Sequence, residues 1–162
     1  MKYFSAILFV LMTLILKAEQ PVETKKFYKE LSRFFEIETV ETTKIESLSN
    51  DNDLFFSVNN GDTKLGLVVL TTAKGRYDNF DFMIIYNTNY EIELIKILVY
   101  RSDYGAEITA KRWLSQFYSK QKDSLKYGSD IQAISGATFS ASSLTKNVNR
   151  INKIVREYKS IE

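Results

Sequence analysis

The chain has 162 residues, of which 44% are apolar and 14% aromatic, so it is long enough for a single domain with a substantial core. It contains neither cysteine nor histidine. These absences exclude disulfide bonds, thiolate nucleophiles, cysteine-bound zinc or iron–sulfur clusters, c-type haem and histidine-based catalytic triads. A redox role for this chain would therefore require an organic cofactor.

The N-terminus is predicted to be a secretory signal that covers residues 1–18. Lys2 supplies a positive charge ahead of an apolar run from Tyr3 to Leu16, and Ala18 suits the position before a cleavage site. The run is shorter than the about 20 residues that a membrane span needs, which favours a cleaved signal over an uncleaved anchor. We therefore expect a periplasmic or extracytoplasmic location for residues 19–162, as one domain.

Charge argues against one class of partner. The predicted signal contains two lysines and no acidic residue, so residues 19–162 carry equal numbers of basic and acidic residues. Binding to nucleic acid depends on a surplus of basic residues, and no nucleic-acid partner is expected.

The pattern of the remaining chain predicts an α+β fold, in which a mainly antiparallel sheet packs with an N-terminal helix and a long C-terminal helix. Phe27, Leu31 and Phe34 recur at helical spacing and predict the first helix over residues 21–36. The polar residues 39–53 predict a loop with at most one short strand. Apolar runs between turn residues predict strands at 54–58, 65–72, 80–86 and 90–100.

Local details of these strands can also be predicted. Asn60-Gly61 is typical of the centre of a tight hairpin turn, because both residues tolerate positive φ. Short connections favour antiparallel pairing. In the last strand the alternation predicts that Tyr90, Ile92 and Leu94 share one face.

The segment after the last strand contains a loop and a predicted helix. Residues 102–105 are expected to form the loop, and residues 106–117 a continuous helix with Trp113 on its apolar side. A core role for Trp113 is favoured over stacking on a cofactor, and Tyr104, in the loop, is slightly more open to a ligand role. Residues 119–129 are polar and basic and are expected to be solvated.

Residues 132–140, with the sequence QAISGATFS, precede the last helix. That helix is predicted because five apolar residues share one face: Leu144, Val148, Ile151, Val155 and Tyr158. A short strand, a turn at Gly136 and a helix N-terminus are expected, with Thr138 and Ser140 as candidate N-caps. The free N–H groups of a helix end suit a phosphate, although simple capping is the commoner role of such hydroxyls.

The residues Ser135-Gly136-Ala137-Thr138, preceded by Ala133-Ile134 and followed by Ser140, resemble the flavinylation motif of the FMN-binding domain family. This family includes the small FMN-carrying subunits of the sodium-pumping NADH:quinone oxidoreductase and of the Rnf complex. In these subunits a flavin transferase links FMN, taken from FAD, to the threonine of the motif through a phosphoester bond. The resemblance extends upstream to Gly105-Ala106-Glu107-Ile108, Trp113-Leu114 and Gln116-Phe117, and downstream through the last helix.

The resemblance implies that FMN is the cofactor and Thr138 its acceptor. Further cofactor contacts are implied at five residues: Ser135, Gly136, Ala137, Ser140 and Gly105. A flavin transferase and a membrane redox protein, as electron donor, are the implied partners. The flavin carries the electrons while the protein positions it, which suits a chain without histidine or cysteine.

One position departs from the motif of the family. The residue six positions before the acceptor is usually acidic, and here it is Gln132, with Asp130 as the nearest acid in the sequence. An electron-transfer flavoprotein is favoured over a stand-alone enzyme. Two alternatives stay open: a component of a reductase that binds FMN noncovalently, and a flavin-free binding module that retains the fold.

Overall fold

The computed structural model describes residues 23–120 and 124–161. The predicted signal at residues 1–18, together with Pro21, lies outside these residues. Within the two described ranges, none of the helices has both the length and the hydropathy that crossing a bilayer requires.

A five-stranded antiparallel sheet forms the centre of the fold, and its strand order follows the chain order. Its strands are β1 (Glu41–Lys44), β2 (Asp53–Asn60), β3 (Thr63–Lys74), β4 (Asn79–Tyr86) and β5 (Ile92–Val99). β3 and β4 are rich in β-branched and aromatic residues, which pack well on a pleated surface. Every residue of β4 after Asn79 is buried, as its apolar sequence predicted. The sheet confirms the predicted antiparallel pairing.

Helices cover both faces of this sheet, which confirms the α+β class. Helix α1 (Glu23–Phe35) packs on one face, and the long helix α3 (Thr138–Lys159) packs on the other. Phe27 and Leu31 of α1 are buried together with apolar residues of the sheet: Val58, Val68, Met83, Ile85 and Leu98. The predicted face of α3 is buried over Leu144, Val148, Ile151 and Val155, with Tyr158 packed at its end.

The turn between β2 and β3 is shifted by one residue from its predicted position. Asn60 pairs with Thr63, so Gly61 and Asp62 form the turn. Gly61 has a φ of +57°, which is the conformation that glycine adopts without a steric cost.

Two β-bulges alter the faces of β5. Ile85 pairs with Leu94 and Tyr86 with Ile92, so that Glu93 is an extra residue. As a result, Ile92 packs on the α3 side of the sheet, whereas Leu94 packs on the α1 side. The prediction that Ile92 and Leu94 share one face was therefore wrong.

The predicted continuous helix over residues 106–117 is interrupted. The segment forms a 3₁₀ turn (Ala106–Thr109), the short helix α2 (Lys111–Leu114) and a second 3₁₀ turn (Ser115–Phe117), with Ala110 extended between the first two. Ile108 and Trp113 are five residues apart, so a regular helix would place them on different faces. The interruption allows both side chains to be buried in the same core.

Residues 119–129 were expected to be solvated, and most of their described residues are exposed, but Leu125 attaches the segment to α3. Leu125 is buried, and its backbone N–H and C=O both hydrogen-bond to the amide of Asn149. Lys122, in the basic part of this segment, lies outside the described residues.

Candidate functional site

Helix α3 begins at Thr138 without a side-chain cap. Its N-cap residue is Ala137, which has no hydroxyl and makes no side-chain capping hydrogen bond. The prediction of Thr138 and Ser140 as N-caps was therefore wrong. Thr138 is already the first helical residue and its side chain is exposed, whereas Ser140 is buried. Helix capping thus does not account for the hydroxyl of Thr138.

The chain approaches this helix without forming the predicted short strand. Ile131 makes one isolated bridge to Tyr127, and residues 132–134 lie in no strand. Side chains hold this segment instead. The backbone N–H of Gln132 donates to Gln116, and its carbonyl accepts from the indole N–H of Trp113. These side-chain hydrogen bonds thus take the place of strand pairing, and the local sequence pattern does not predict them.

Trp113 has a structural role in this arrangement. Its ring is buried and packs edge-to-face on Phe117, with 5.6 Å between the ring centroids. Its N–H reaches the Gln132 carbonyl at 2.8 Å. The favoured interpretation of Trp113 as a core residue is confirmed.

Gly136 makes the turn that brings the chain to Thr138. Its φ is +81°, a conformation that other residues rarely adopt. A Cβ atom at this position would lie 2.9 Å from a carboxylate oxygen of Glu107, so a side chain would collide with that group. The carboxylate of Glu107 therefore packs directly on the turn at Gly136, and Gly136 is two residues before Thr138. Ser135 is exposed in the same turn.

The loop 102–105 is fastened to the start of α3. The hydroxyl of Tyr100 donates to the carbonyl of Tyr104 at 2.7 Å and lies 2.9 Å from Oγ of Ser140. Because the Tyr100 proton is committed to the carbonyl, Ser140 is the donor in the second bond. Gly105 has a φ of +87° and passes close to both hydroxyls. The side chain of Ser140 thus positions the loop.

A cavity of about 460 Å³ lies where the loop meets the helix start, and we call it the α3 cavity. Its lining consists of Arg76, Tyr104, Gly105, Gly136, Ala137, Thr138, Phe139 and Ser140. Five of the six residues implied as cofactor contacts therefore line one space, and Ser135 is the exception. The fold brings Gly105 to Thr138 across more than thirty residues of sequence.

Two exposed aromatic side chains line this cavity, and a third, Tyr77, packs on one of them. Tyr77, Tyr104 and Phe139 are 64%, 63% and 51% exposed, respectively. The rings of Tyr77 and Tyr104 meet edge-to-face with their centroids 6.0 Å apart. Large aromatic residues left at a surface frequently mark a ligand or partner site. The sequence did not predict that Tyr77 and Phe139 belong to this cluster.

The wall of the α3 cavity carries positive charge, and the carboxylate of Glu107 lies on the adjoining turn. Arg76 is on this wall, with its guanidinium 5.5 Å from the centroid of the Tyr77 ring. The N-terminus of α3 adds the partial positive charge of a helix end. Arg76 was missed from the sequence because it lies in the turn between β3 and β4, and nothing local indicates that this turn reaches α3.

The chemistry that the α3 cavity permits follows from these contacts. An exposed hydroxyl, a guanidinium and a helix N-terminus suit a phosphate group, while the aromatic side chains suit a planar ring. Comparison of the chain with protein-family profiles and with curated proteins finds no match. The resemblance of residues 133–140 to a flavinylation motif accordingly stays a prediction from these residues.

Proposed function

We propose that this protein is an extracytoplasmic electron carrier that holds FMN in the α3 cavity, with the phosphate linked to the hydroxyl of Thr138. The observation that carries the proposal is the position of Thr138. Its side chain is exposed on the wall of a cavity of about 460 Å³, at a helix end that no side chain caps. This volume is within the range of about 300–1,000 Å³ that is typical of ligand sites.

The residues around the α3 cavity fit both parts of FMN. Arg76 and the first turn of α3 would hold the phosphate, because both present positive charge beside Thr138. Tyr104 and Phe139 would contact the flavin ring, and Tyr77 supports the ring of Tyr104. The exposure of these side chains would leave one edge of the flavin open to a redox partner.

Bound FMN supplies reversible electron transfer, and the protein supplies its position and surroundings. The chain needs no acid–base residue for this role, which agrees with its lack of histidine and cysteine. A membrane redox protein would be the electron donor.

The covalent link would require a flavin transferase. In that step the Thr138 Oγ–phosphorus bond forms and the hydroxyl loses its proton. The pyrophosphate bond of FAD breaks, and AMP leaves. Asp130 is a poor replacement for an acid at position 132, because its carboxylate accepts a hydrogen bond from the backbone N–H of Lys126 at 2.8 Å. Formation of the covalent bond to Thr138 would therefore require a flavin transferase that accepts glutamine at position 132.

The test is to express the chain with its N-terminal residues and a flavin transferase, and to examine the denatured protein on a gel under ultraviolet light. We expect a fluorescent band for the native sequence and for Ser135→Ala. Thr138→Val keeps the shape of the side chain but removes the acceptor, so its band should be dark. Mass spectrometry should place the added FMN on the peptide that contains Thr138.

The remaining outcomes separate the alternatives. Yellow colour that is lost on denaturation would show noncovalent FMN and overturn the link to Thr138. Colourless protein under both conditions would favour the flavin-free module. Gln132→Asp should increase labelling if the missing acid limits recognition by the transferase.

A further inference from the structure

The carboxylate of Glu107 lies against the turn that leads to Thr138. Glu107 belongs to the 3₁₀ turn Ala106–Thr109, which is held to the core by the fully buried side chain of Ile108. A Cβ atom on Gly136 would lie 2.9 Å and 3.5 Å from the two carboxylate oxygens of Glu107. Because any side chain at position 136 would displace the carboxylate, glycine there allows a negative charge to approach the start of α3.

The charge of Glu107 is near enough to Thr138 to affect a phosphate bound there. Consecutive Cα atoms are about 3.8 Å apart, so the carboxylate lies within roughly 12 Å of the Cα of Thr138. Charges interact over about 30 Å at low salt. The side chain of Glu107 is exposed, and among the described residues it belongs to no ion pair, so no described cation cancels its charge.

Free FMN and FMN linked to Thr138 differ by one charge at the phosphate. A phosphate monoester carries about two negative charges at pH 7. A second ester bond, to the threonine, removes one ionisable oxygen and leaves a single negative charge. Among the residues that line the α3 cavity, Arg76 is the one cationic side chain, and it matches the linked phosphate. The second charge of free FMN would lie near Glu107 without a matching cation.

We propose that Glu107 is a specificity-determining residue of the α3 cavity, which favours a phosphodiester over a free phosphate monoester. This inference rests on the proposed function, because it takes the flavin phosphate to lie at Thr138. The cavity would disfavour free FMN and other phosphate monoesters, and would retain flavin through the bond to Thr138. Glu107 acts by charge repulsion alone and takes part in no bond-forming step.

The test is titration of the purified flavin-free chain, at pH 7.5 and low salt, with three flavins that share one ring. Riboflavin is neutral, its 5′-methyl phosphate carries one negative charge, and FMN carries about two. Glu107→Gln keeps the shape of the side chain and removes its charge. We expect this variant to bind the methyl phosphate about threefold and FMN about ninefold more tightly than the native sequence does, with riboflavin unchanged. Salt at about 0.5 M should largely remove both differences.

Glu157→Gln is the matched control, because it removes the same charge from an exposed residue at the other end of α3. It should leave the affinities for all three flavins unchanged. The proposal is overturned if Glu107→Gln changes none of the affinities, if riboflavin gains as much as FMN, or if Glu157→Gln has the same effect. Circular dichroism should show that both variants remain folded.

A failure of this inference can be distinguished from a failure of the proposed function. Covalent flavin on the native chain, together with equal FMN affinity in Glu107→Gln, would overturn the role of Glu107 and leave the carrier function standing. A native chain that neither binds FMN nor acquires it from a flavin transferase would overturn the proposed function, and this inference with it.

Discussion

The middle and the first turn of α3 belong to one helix, but they differ in how far their side chains are buried. In the middle, Ile151 is fully buried and the amide of Asn152 accepts a hydrogen bond of 2.7 Å from Tyr86. Arg150 makes two bonds of 2.7 Å to the buried carboxylate of Asp53 in β2. In the first turn, Thr138 and Phe139 are exposed.

The difference separates residues that hold the helix on the sheet from residues that are available to a ligand. Buried polar groups of the middle are paired, as stable cores require. The first turn leaves its hydroxyl and its aromatic ring beside a cavity. Variants in the two regions should therefore affect different measurements, namely the free energy of unfolding in the middle and flavin content in the first turn.

The largest effect is expected from Ile151→Ala. Removing this buried side chain leaves a cavity between α3 and the sheet, and should lower the free energy of unfolding by about 3 kcal/mol. Phe139→Ala, in the exposed first turn, should change it by less than about 0.5 kcal/mol. Urea unfolding followed by the fluorescence of the single tryptophan checks both values.

Flavin content should show the opposite pattern in these two variants. Phe139→Ala should lower FMN content per folded molecule, whereas folded Ile151→Ala should retain it. A loss of stability in Phe139→Ala as large as in Ile151→Ala would contradict the division of α3 into two regions.

The second effect concerns the ion pair between Asp53 and Arg150. Burial alone would raise the pKa of Asp53, but hydrogen bonds from Arg150, Thr71 and Asn50 outweigh it and hold the pKa below its ordinary value of 3.8. Arg150→Met leaves the carboxylate buried without its cation. Because Arg150 is about half exposed, water reduces the penalty, and we expect a loss of about 2 kcal/mol at pH 7.

The same variant should change the pH dependence of stability. In the native sequence the folded-state pKa of Asp53 is lowered, so its stabilising contribution is present above pH 3.8 and is lost as the pH falls below that value. In Arg150→Met, burial should raise this pKa, so protonation removes the penalty. Stability curves measured between pH 7 and pH 3 should therefore converge at low pH. Parallel curves, or an equal loss in the exposed control Lys153→Met, would contradict this assignment.

Features that depend on local periodicity were predictable from the sequence. The buried faces of α1 and α3 follow from apolar residues at helical spacing, and the buried strand β4 follows from its continuous apolar run. Gly105 and Thr138 were linked only by the family resemblance, and they do line one cavity.

Features that depend on tertiary contacts were not predictable in this way. The bulge at Glu93 and the break at Ala110 arise because side chains on both sides must reach the core. The hydrogen bond between Tyr100 and Ser140 joins residues forty positions apart. Ser140 was predicted to cap the helix, and through this bond it holds the loop 102–105 instead. Arg76 reaches the α3 cavity for the same non-local reason.

The smallest effect compares two glycines with nearly the same positive φ. Gly105 and Gly128 have φ values of +87° and +90°, so replacement by alanine costs each about 1 kcal/mol of backbone strain. Only at Gly105 would the new Cβ meet other atoms, at 2.6 Å from the Tyr100 hydroxyl and 3.2 Å from Oγ of Ser140. At Gly128 no atom of the described residues, apart from its chain neighbours, lies within 4 Å of the position of that Cβ.

We therefore expect Gly105→Ala to lose about 1 kcal/mol more than Gly128→Ala in urea unfolding, because the clash displaces the hydroxyl pair that holds the loop. The displaced loop carries Tyr104, so Gly105→Ala should also lower FMN content, whereas Gly128→Ala should leave it unchanged. Equal losses of stability and flavin in the two variants would show that backbone strain alone determines the need for glycine at position 105. The Tyr100–Ser140 contact would then have no part in shaping the α3 cavity.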